Sequence, residues 1–392
     1  MATSPFRFDV AVIGGGILGS AVSYFLLQES PSLSVCVIEP DPSYEFASAL
    51  RASGGCRVQF TGPENIEMSK FGIDFIKGFE TTMATRKGPA PVDWVEGGYL
   101  FIAPAEHAAV LERNARTQQA HGCVVDLLSP RELKSRFPSM RVDDLAVGAH
   151  TPHDGWCDPH GLLWGFRRKA IELGARYIQA RFESADVGSA RVKAIVLDDG
   201  QRIEADAFVN ATGAWSGEVA ARFGMALPVY PLRRFEHYFT AGSPIEPLPY
   251  VKDVARLAFR SEGNGFSGGL VDGDAQRGFD FEVDHGYFER VVWPAIAHRF
   301  PAFEAAKCHR TWSGLYEVNG LDGNPVIGAW NNGLRNLHTV AGFSGHGMMH
   351  APAAGRAIAE LIVHGEYRSI DLTRLGFERI EAGVPYAEQG IL

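Results

Sequence analysis

The sequence predicts a mixed α/β protein of two domains, in which a Rossmann-like domain carries an inserted domain with a mainly antiparallel sheet. A strand, a glycine turn and a helix open the chain at Phe8–Gln28. Short Val- and Ile-rich runs alternate with helical segments there, as in parallel α/β folds. From Val229 to Phe281, by contrast, strand-forming residues predominate between single glycines. A length of 392 residues is enough for two such domains.

The opening segment has the pattern of a βαβ unit. Phe8–Ile13 and Ser34–Ile38 are buried-strand runs, and Ile17–Gln28 between them has helical length. Val10–Leu27 is also nearly long and apolar enough to span a bilayer. Its four glycines and the preceding Asp9 favour a strand, turn and helix over a membrane span or a signal peptide. We therefore predict no membrane span.

Further elements of both kinds follow along the chain. The turn Asp198–Gly200 predicts a hairpin between two strands. The predicted helices are Pro63–Phe79, Ala105–His121, Gly161–Leu173, Phe288–Phe300 and Ala351–His364. The predicted strands are Tyr99–Ile102, Arg176–Ala180, Arg191–Leu197 and Ala207–Asn210, followed by the strand-rich Val229–Phe281.

Composition and charge restrict the classes of function. Hydrophobic residues make up 46% and charged residues 21%, as in ordinary globular proteins. The net charge of −9 gives no overall attraction for nucleic acid or an anionic membrane, although an anionic substrate can still bind at a local positive site. The five cysteines are odd in number and contain no C-x-x-C. This pattern favours reduced thiols, a cytoplasmic protein and no metal site.

The glycine turn predicts a dinucleotide site. Gly14, Gly16 and Gly19 form a G-x-G-x-x-G motif between strand and helix, and Ile17 and Leu18 begin that helix. The glycines permit a tight turn, a close approach to pyrophosphate and close helix packing, while the helix N-terminus favours phosphate. A glycine turn that binds nothing remains an alternative.

Two further features refine that site. Glu39 follows the second strand, where a carboxylate accepts hydrogen bonds from a ribose 2′-hydroxyl and repels the 2′-phosphate of NADP. NAD and FAD both fit this pattern. Asn210–Ser216 is a second small-residue turn after a strand, and Ala211, Gly213 and Trp215 are its candidate cofactor contacts. A second close approach favours a long dinucleotide, although an ordinary strand–helix turn is an alternative.

Three motifs, in this order, resemble the D-amino-acid oxidase superfamily of FAD-dependent oxidoreductases. They are Asp9–Gly19, Asn210–Ser216 and Ala341–Gly347. Gly54–Asn65, Asp158–Arg168 and Gly342–Ile362 extend the likeness over nearly the whole chain. Within the superfamily the sequence is most similar to the FAD-dependent oxidoreductase domain-containing proteins, which are related to a mitochondrial complex I assembly factor, and to the sarcosine oxidase-like group.

The resemblance implies bound FAD, with the flavin beneath a substrate cavity roofed by the antiparallel sheet. The FAD domain would comprise residues 1–85, 146–226 and 325–392, and the substrate domain residues 86–145 and 227–324. The helix after the third motif would direct its N-terminus at the flavin and stabilise the negative charge of the reduced ring. The expected flavin contacts are Gly342, Phe343, Ser344, Gly345, His346, Gly347 and Met348.

The superfamily oxidises C–N bonds by hydride transfer to flavin N5, which gives an imine that water hydrolyses. Arg57 corresponds to an arginine that holds the substrate carboxylate with its forked guanidinium, but an interdomain ion pair is an equal alternative. Tyr316 corresponds to a substrate contact unless it is a core tyrosine. His346 is the third candidate catalytic residue, although its backbone is favoured over its ring. Arg260 and Tyr238 are weaker candidates on predicted strands.

Departures from the superfamily pattern predict a noncovalent FAD and leave the electron acceptor open. Gly314 occupies the place of a cysteine that links FAD in some relatives, and Ala47–Ala52 lacks a linking histidine. No lysine occurs from Asp253 to Ala306, and Met349 replaces a second lysine. Sarcosine oxidases place the first of these lysines over the flavin, where its positive charge speeds the reaction with oxygen. A dehydrogenase is therefore nearly as well supported as an oxidase.

These observations predict an FAD-dependent amine or amino-acid oxidase or dehydrogenase that acts on CH–NH or CH–NH2 donors. Its partners would be a small amine or amino acid and oxygen or another electron acceptor. Two alternatives stay open: an assembly or scaffold protein that binds FAD without turnover, and an NAD-linked dehydrogenase.

Overall fold

The computed structural model describes residues 6–271, 273 and 275–389. Residues 1–5 and 390–392 of the predicted domain ranges, and 272 and 274 of the strand-rich segment, lie outside the described residues. The strands are β1 (Phe6–Ile13), β2 (Val35–Ile38), β3 (Gly55–Cys56), β4 (Tyr99–Ala103), β5 (Asp126–Leu128), β6 (Val147–Thr151), β7 (Gly155–Trp156), β8 (Arg176–Ile178), β9 (Phe182–Val187), β10 (Val192–Leu197), β11 (Arg202–Asn210), β12 (Val229–Thr240), β13 (Tyr250–Asp253), β14 (Leu257–Glu262), β15 (Gly265–Leu270), β16 (Lys307–Asn319), β17 (Val326–Ala329) and β18 (Leu337–Ala341). The helices are α1 (Ile17–Glu29), α2 (Pro63–Lys77), α3 (Phe79–Thr82), α4 (Ala105–Ala120), α5 (Pro130–Arg136), α6 (Pro159–Leu173), α7 (Ser216–Arg222), α8 (Trp293–Arg299), α9 (Gly347–His364) and α10 (Glu378–Glu381).

The first sheet has the order β17-β18-β11-β1-β2-β8, and β10 and β9 extend it from β11 as antiparallel neighbours. β1 pairs in parallel with β2 and β11, and β11 with β18. The β10–β11 pair confirms the hairpin predicted from Asp198–Gly200. Both termini of the chain therefore contribute to one Rossmann-like sheet, which places the turns after β1, β11 and β18 at one edge.

The second sheet has the order β16-β12-β15-β14-β13-β4-β6-β5 and is antiparallel except between β13 and β4. This confirms the predicted mainly antiparallel sheet. Side chains alternate across it. Leu100, Val251 and Phe259 face an apolar core, whereas Tyr250 and Lys252 share the opposite face. One face of the sheet therefore covers a hydrophobic core, and the other carries the stacked rings of Tyr99, Phe101 and Tyr250 together with Lys252.

Several boundaries differ from the sequence prediction. β11 begins at Arg202, not Ala207, and the predicted helix Phe288–Phe300 is a π-helical turn at Phe288–Val292 followed by α8. α9 begins at Gly347, not Ala351, so the glycine-rich turn runs directly into its first residue. The predicted helix Pro63–Phe79 ends at Lys77, because Gly78 interrupts it before the short α3. In addition, β6 pairs with β4 and β5 in the second sheet, although its residues fall in the range 146–226 predicted for the FAD domain. The domain limits themselves stay a prediction.

Candidate active site

The first glycine turn joins β1 to α1 and brings distant backbone segments into contact. Gly14 has a φ of +96°, and a Cβ there would lie 2.5 Å from the carbonyl oxygen of Ala211. A Cβ on Gly19 would lie 1.9 Å from the carbonyl oxygen of Gly14. A Cβ on Gly16 would meet no atom within 4 Å. Gly14 and Gly19 are therefore required for packing, whereas Gly16 leaves the backbone open to an approaching group.

The start of α1 faces the same open space. Its N-cap, Gly16, makes no side-chain capping hydrogen bond, and its first turn contains no acidic residue. Ile17 and Leu18 line the adjacent cavity. The unsatisfied N–H groups of a first helical turn attract anions, so this end of α1 fits a phosphate group.

Glu39 lies immediately after β2, as predicted, and closes the other side of the turn. One carboxylate oxygen accepts the N–H of Gly15 at 2.8 Å, and the other accepts the N–H of Asp41 at 2.9 Å. Burial raises the pKa of Glu39. The carboxylate therefore stabilises the glycine turn as well as facing the cavity, a second role that the sequence motif does not reveal.

An elongated cavity passes along the ends of β1, β2 and β11. Glu317 lines it as well, from β16 of the second sheet. The predicted cofactor residues that line it are Gly14, Gly16, Ile17, Leu18, Glu39, Ala211, Gly213 and Trp215. Gly19 is packed behind the turn and does not line the cavity. The first two motifs, which are far apart in sequence, thus form one continuous surface.

The third motif forms a tight turn between β18 and α9. Gly342, Ser344 and Gly345 have positive φ values of +81°, +52° and +109°. The carboxylate of Glu317 accepts the N–H of Gly342 at 3.1 Å, and the backbone carbonyl of Glu317 accepts the N–H of Ser344 at 3.0 Å. Phe343, in the same turn, is fully buried. Glu317 therefore links this turn to the cavity lined by the other two motifs.

Glu317 was missed by the sequence analysis. Burial raises its pKa to about 7. The signal that could have found it is the alternation along β16, where Ser313, Leu315, Glu317 and Asn319 are all buried. A glutamate at a buried position of a strand needs hydrogen-bond partners, and the turn supplies them.

Tyr316 lies directly against the third motif. A Cβ on Gly345 would lie 2.4 Å from the tyrosine ring, so glycine is needed for this contact. The Arg234 guanidinium carbon lies 5.2 Å from the centroid of the ring. Within the described part of the chain the Tyr316 hydroxyl makes no hydrogen bond, and the side chain is only partly buried. The hydroxyl is therefore available to a ligand.

Arg57 is 6% exposed and lies on the wall between the two sheets. Its guanidinium carbon is 4.0 Å from the Phe60 ring centroid and 5.3 Å from that of Phe101. It donates a short hydrogen bond to the carbonyl of Gln59. Among the described residues it forms no ion pair, and burial lowers its pKa. The interdomain ion pair considered from the sequence is therefore not formed, and the guanidinium keeps donors for an anion.

His346 is buried, and its ring lies among those of Phe60, Phe343 and His350. Its Nδ1 lies 3.2 Å from Nδ1 of His350, whose Nε2 lies 2.8 Å from the Ser69 hydroxyl. Burial lowers the pKa of His346 well below the usual range and that of His350 to about 3. Both rings are therefore neutral near pH 7, and the expectation that the His346 backbone matters more than its ring stays a prediction.

The second sheet adds side chains that the sequence analysis did not select. Tyr99 and Tyr250 stack with their centroids 4.4 Å apart, and the Tyr250 hydroxyl lies 2.8 Å from that of Ser53. Lys252 follows on the same face of β13. Lys252 lies one residue before the segment from Asp253 to Ala306, in which the sequence contains no lysine. Its position becomes informative only when β13 pairs with β4.

The weaker sequence candidates have structural partners. Arg260 forms an ion pair with Glu262 and donates to the Ser53 carbonyl. Tyr238 contacts the ring of His309 at a centroid distance of 5.9 Å. These contacts favour a structural role for both residues over a role in the candidate site.

The described residues contain neither a metal-binding cluster nor a membrane-spanning helix. No group of three or more His, Cys, Asp or Glu side chains is arranged to hold a metal ion. No described helix has the length and apolar character needed to cross a membrane.

The chain was compared with known protein families and structures. The sequence profile of the FAD dependent oxidoreductase (DAO) family matches residues 9–361. FAD-dependent oxidoreductase domain-containing protein 1 of Xenopus laevis is 34% identical, over 99% of this chain and 85% of its own length. The structure of L-proline dehydrogenase from P. horikoshii superposes with a TM-score of 0.86 at 27% identity, over 98% of this chain and all of that one. Glycine oxidase from Geobacillus kaustophilus superposes with a TM-score of 0.82 at 24% identity, over 95% and 98% of the two chains, which supports the shared fold.

Proposed function

The chain belongs to the DAO family of FAD-dependent oxidoreductases, and from this premise we propose that it oxidises the C–N bond of an amino acid or a secondary, N-alkyl amine. The product would be an imine that water hydrolyses. One observation supports the proposal most strongly: Arg57 is a buried guanidinium that has no carboxylate partner among the described residues and lies against the rings of Phe60 and Phe101. Such a group is costly to bury unless a ligand supplies the missing anion.

The residues present fit FAD. Gly16 leaves open space beside the uncapped first turn of α1, which suits a pyrophosphate. Glu39 has lone pairs left for a ribose hydroxyl after its two backbone hydrogen bonds. The family uses FAD, which argues against the alternative of an NAD-linked dehydrogenase. When bound, FAD accepts a hydride from the carbon next to the amine nitrogen.

The protein side chains would bind and orient the substrate. Arg57 would hold its carboxylate through paired N–H donors, and the free Tyr316 hydroxyl would contact the carboxylate or the amine. The neutral His346 and His350 rings add no positive charge beside the amine. Since positioning is the main requirement of this chemistry, no dedicated side-chain base is needed.

The test is anaerobic reduction of the bound flavin. We expect at least one member of a panel of N-methyl and primary amino acids to bleach the flavin absorbance of the wild-type protein, and Arg57→Met to bleach slowly while it retains FAD. Bleaching by no member of a broad panel would contradict the proposal and would favour an FAD-binding assembly or scaffold protein. Reoxidation with oxygen or with dyes then identifies the class of electron acceptor.

We also propose that the FAD is dissociable and that the protein is cytoplasmic. Position 314 has no room for a linking cysteine, because a Cβ there would lie 2.9 Å from Cβ of Arg51. The five cysteines are all free, as in reducing compartments. Acid precipitation should leave FAD in the supernatant, and a yellow pellet would contradict dissociable FAD. Imaging of the tagged full-length chain in its own cells checks the compartment.

A further inference from the structure

Lys252 is a basic residue on the aromatic face of the second sheet. It lies on β13 directly opposite Phe101 of β4, and its Nζ is 5.5 Å from the centroid of that ring. The Arg57 guanidinium carbon is 5.3 Å from the same centroid. Two cationic groups from distant parts of the chain therefore lie around a single aromatic ring.

Among the described residues the Lys252 ammonium group makes no hydrogen bond and no ion pair, and it lies against the Phe101 ring. The side chain is partly buried. Burial is the main cause that lowers its pKa well below the usual range, and Arg57 and Arg256 add repulsion that Asp253 opposes.

Neighbouring carboxyl groups already have other partners. Asp253 accepts the N–H of Leu257 at 3.0 Å within its own turn. Near Arg57, Asp154 accepts the N–H of Val58 at 3.0 Å, and Glu388 accepts the Thr61 hydroxyl at 2.6 Å and the N–H of Gly62 at 3.0 Å. Burial raises the pKa of Asp154 to about 7, so it is not a full counter-charge near neutral pH. Among the described residues, none of these three carboxylates forms an ion pair with Arg57 or Lys252.

A substrate with one carboxylate would neutralise Arg57 and leave Lys252 unpaired. We propose that Lys252 binds a second acidic group, so that the preferred substrate is an amino acid or secondary amine with two carboxylates. This specificity rests on the proposed C–N oxidation. A substrate with a neutral amine and two carboxylates carries two negative charges, one for each of Arg57 and Lys252. The cost of burying these two cationic groups is offset only when each has an anionic partner.

Binding can be measured apart from oxidation by using thioethers, in which sulfur replaces the amine nitrogen. Methylthioacetate has one carboxylate and thiodiglycolate has two, and both would be titrated against the FAD-loaded protein by calorimetry. We expect thiodiglycolate to bind about tenfold or more tightly than methylthioacetate, the contribution of one charge-assisted hydrogen bond. Lys252→Met should abolish this preference and Lys252→Arg should retain most of it. Lys193→Met, at an exposed position of β10, is the matched control and should bind as the wild type does.

Equal binding of the two thioethers to the wild-type protein would overturn the assignment, and this comparison requires no variant. A preference for thiodiglycolate that persists in Lys252→Met would also overturn it. So would a Lys252→Met protein that binds both thioethers as the wild type does and differs only in a slower reoxidation of the flavin. Anaerobic bleaching with sarcosine and iminodiacetate then separates the two proposals. If thiodiglycolate is preferred but no amine bleaches the flavin, the oxidation fails and the acidic subsite stands. If sarcosine bleaches the flavin as fast as iminodiacetate does, the oxidation stands and the subsite fails.

Discussion

The nucleotide end and the substrate end of the candidate site are built in different ways. At the nucleotide end the contacts are mostly backbone, and the critical residues lie close together in sequence, from Gly14 to Gly19. At the substrate end the contacts are side chains, and Arg57, Lys252 and Tyr316 come from three distant segments. Binding at the nucleotide end depends on glycines that leave room for the cofactor, whereas binding at the substrate end depends on charged side chains that are shielded from water. The two ends should therefore respond differently to substitution.

The largest effect is expected at the packed glycine of the nucleotide end. Gly19→Ala places a methyl group where an ideal Cβ lies 1.9 Å from the Gly14 carbonyl oxygen, so the turn must open. We expect a lower melting temperature and a protein purified without bound flavin. Gly16→Ala is the control, because its methyl group enters open space. It should leave the melting temperature of the FAD-free protein unchanged and weaken FAD binding about tenfold or more. Normal FAD affinity in Gly16→Ala would contradict the assignment of this space to the cofactor.

The next largest effect is expected at Arg57, and it should leave the nucleotide end intact. Arg57→Met removes the proposed carboxylate partner, so kcat/KM for the best carboxylate-bearing amine should fall about 100-fold or more. The FAD content should not change, because Arg57 does not line the nucleotide cavity. Arg299→Met is a matched control: Arg299 is a buried arginine already paired with Asp144 at 2.8 Å. It should lower stability but leave kcat/KM of the folded enzyme close to wild type. Equal losses in the two variants would remove the case for Arg57 as a substrate ligand.

A smaller effect is expected at Glu317, where the two ends meet. Burial raises the pKa of Glu317 to about 7, above its value in the unfolded chain. Folding therefore favours the protonated form, so the penalty for the charged form is absent at acidic pH and grows as the pH rises through about 7.

Glu317→Gln keeps an oxygen acceptor for the Gly342 N–H and removes the titration. Between about pH 5 and pH 8 the melting temperature of the variant should fall less than that of the wild type. Asp154 and Glu236 titrate in the same range, so the quantity to compare is the difference between variant and wild type at each pH. Parallel curves would contradict the prediction.

The smallest effect is expected at Tyr316. Tyr316→Phe removes a single neutral hydrogen bond to substrate and keeps the ring against Gly345, so KM should rise about three- to tenfold with little change in stability. Steady-state kinetics with the best amine substrate measures this. Tyr238→Phe serves as the control on the neighbouring β12 and should leave KM within about twofold. An unchanged KM in Tyr316→Phe would mean that the hydroxyl does not contact substrate.

The glycine motifs were predictable because each glycine acts through its own backbone and its immediate neighbours. The turn before α1, the position of Glu39 after β2 and the mainly antiparallel second sheet all follow from local patterns of residues. Glu317 and Lys252 were not predictable in this way. A buried glutamate becomes intelligible only when β16 lies beside the turn at Gly342, and Lys252 only when β13 pairs with β4 beside Arg57.

The sequence by itself therefore determined the fold class and the backbone turns, because these depend on glycine conformation and on hydrophobic periodicity within short segments. The residue pattern alone fitted NAD and FAD alike, and the choice of FAD came from the family resemblance. Tertiary structure alone decided that Arg57 has no ion-pair partner in the described chain, that the His346 ring contacts His350, and that Lys252 joins Arg57 at Phe101. The physical reason is that the energy of a charge depends on its burial and on its neighbours in space. Neighbours in space come from strand pairing between residues that are far apart along the chain.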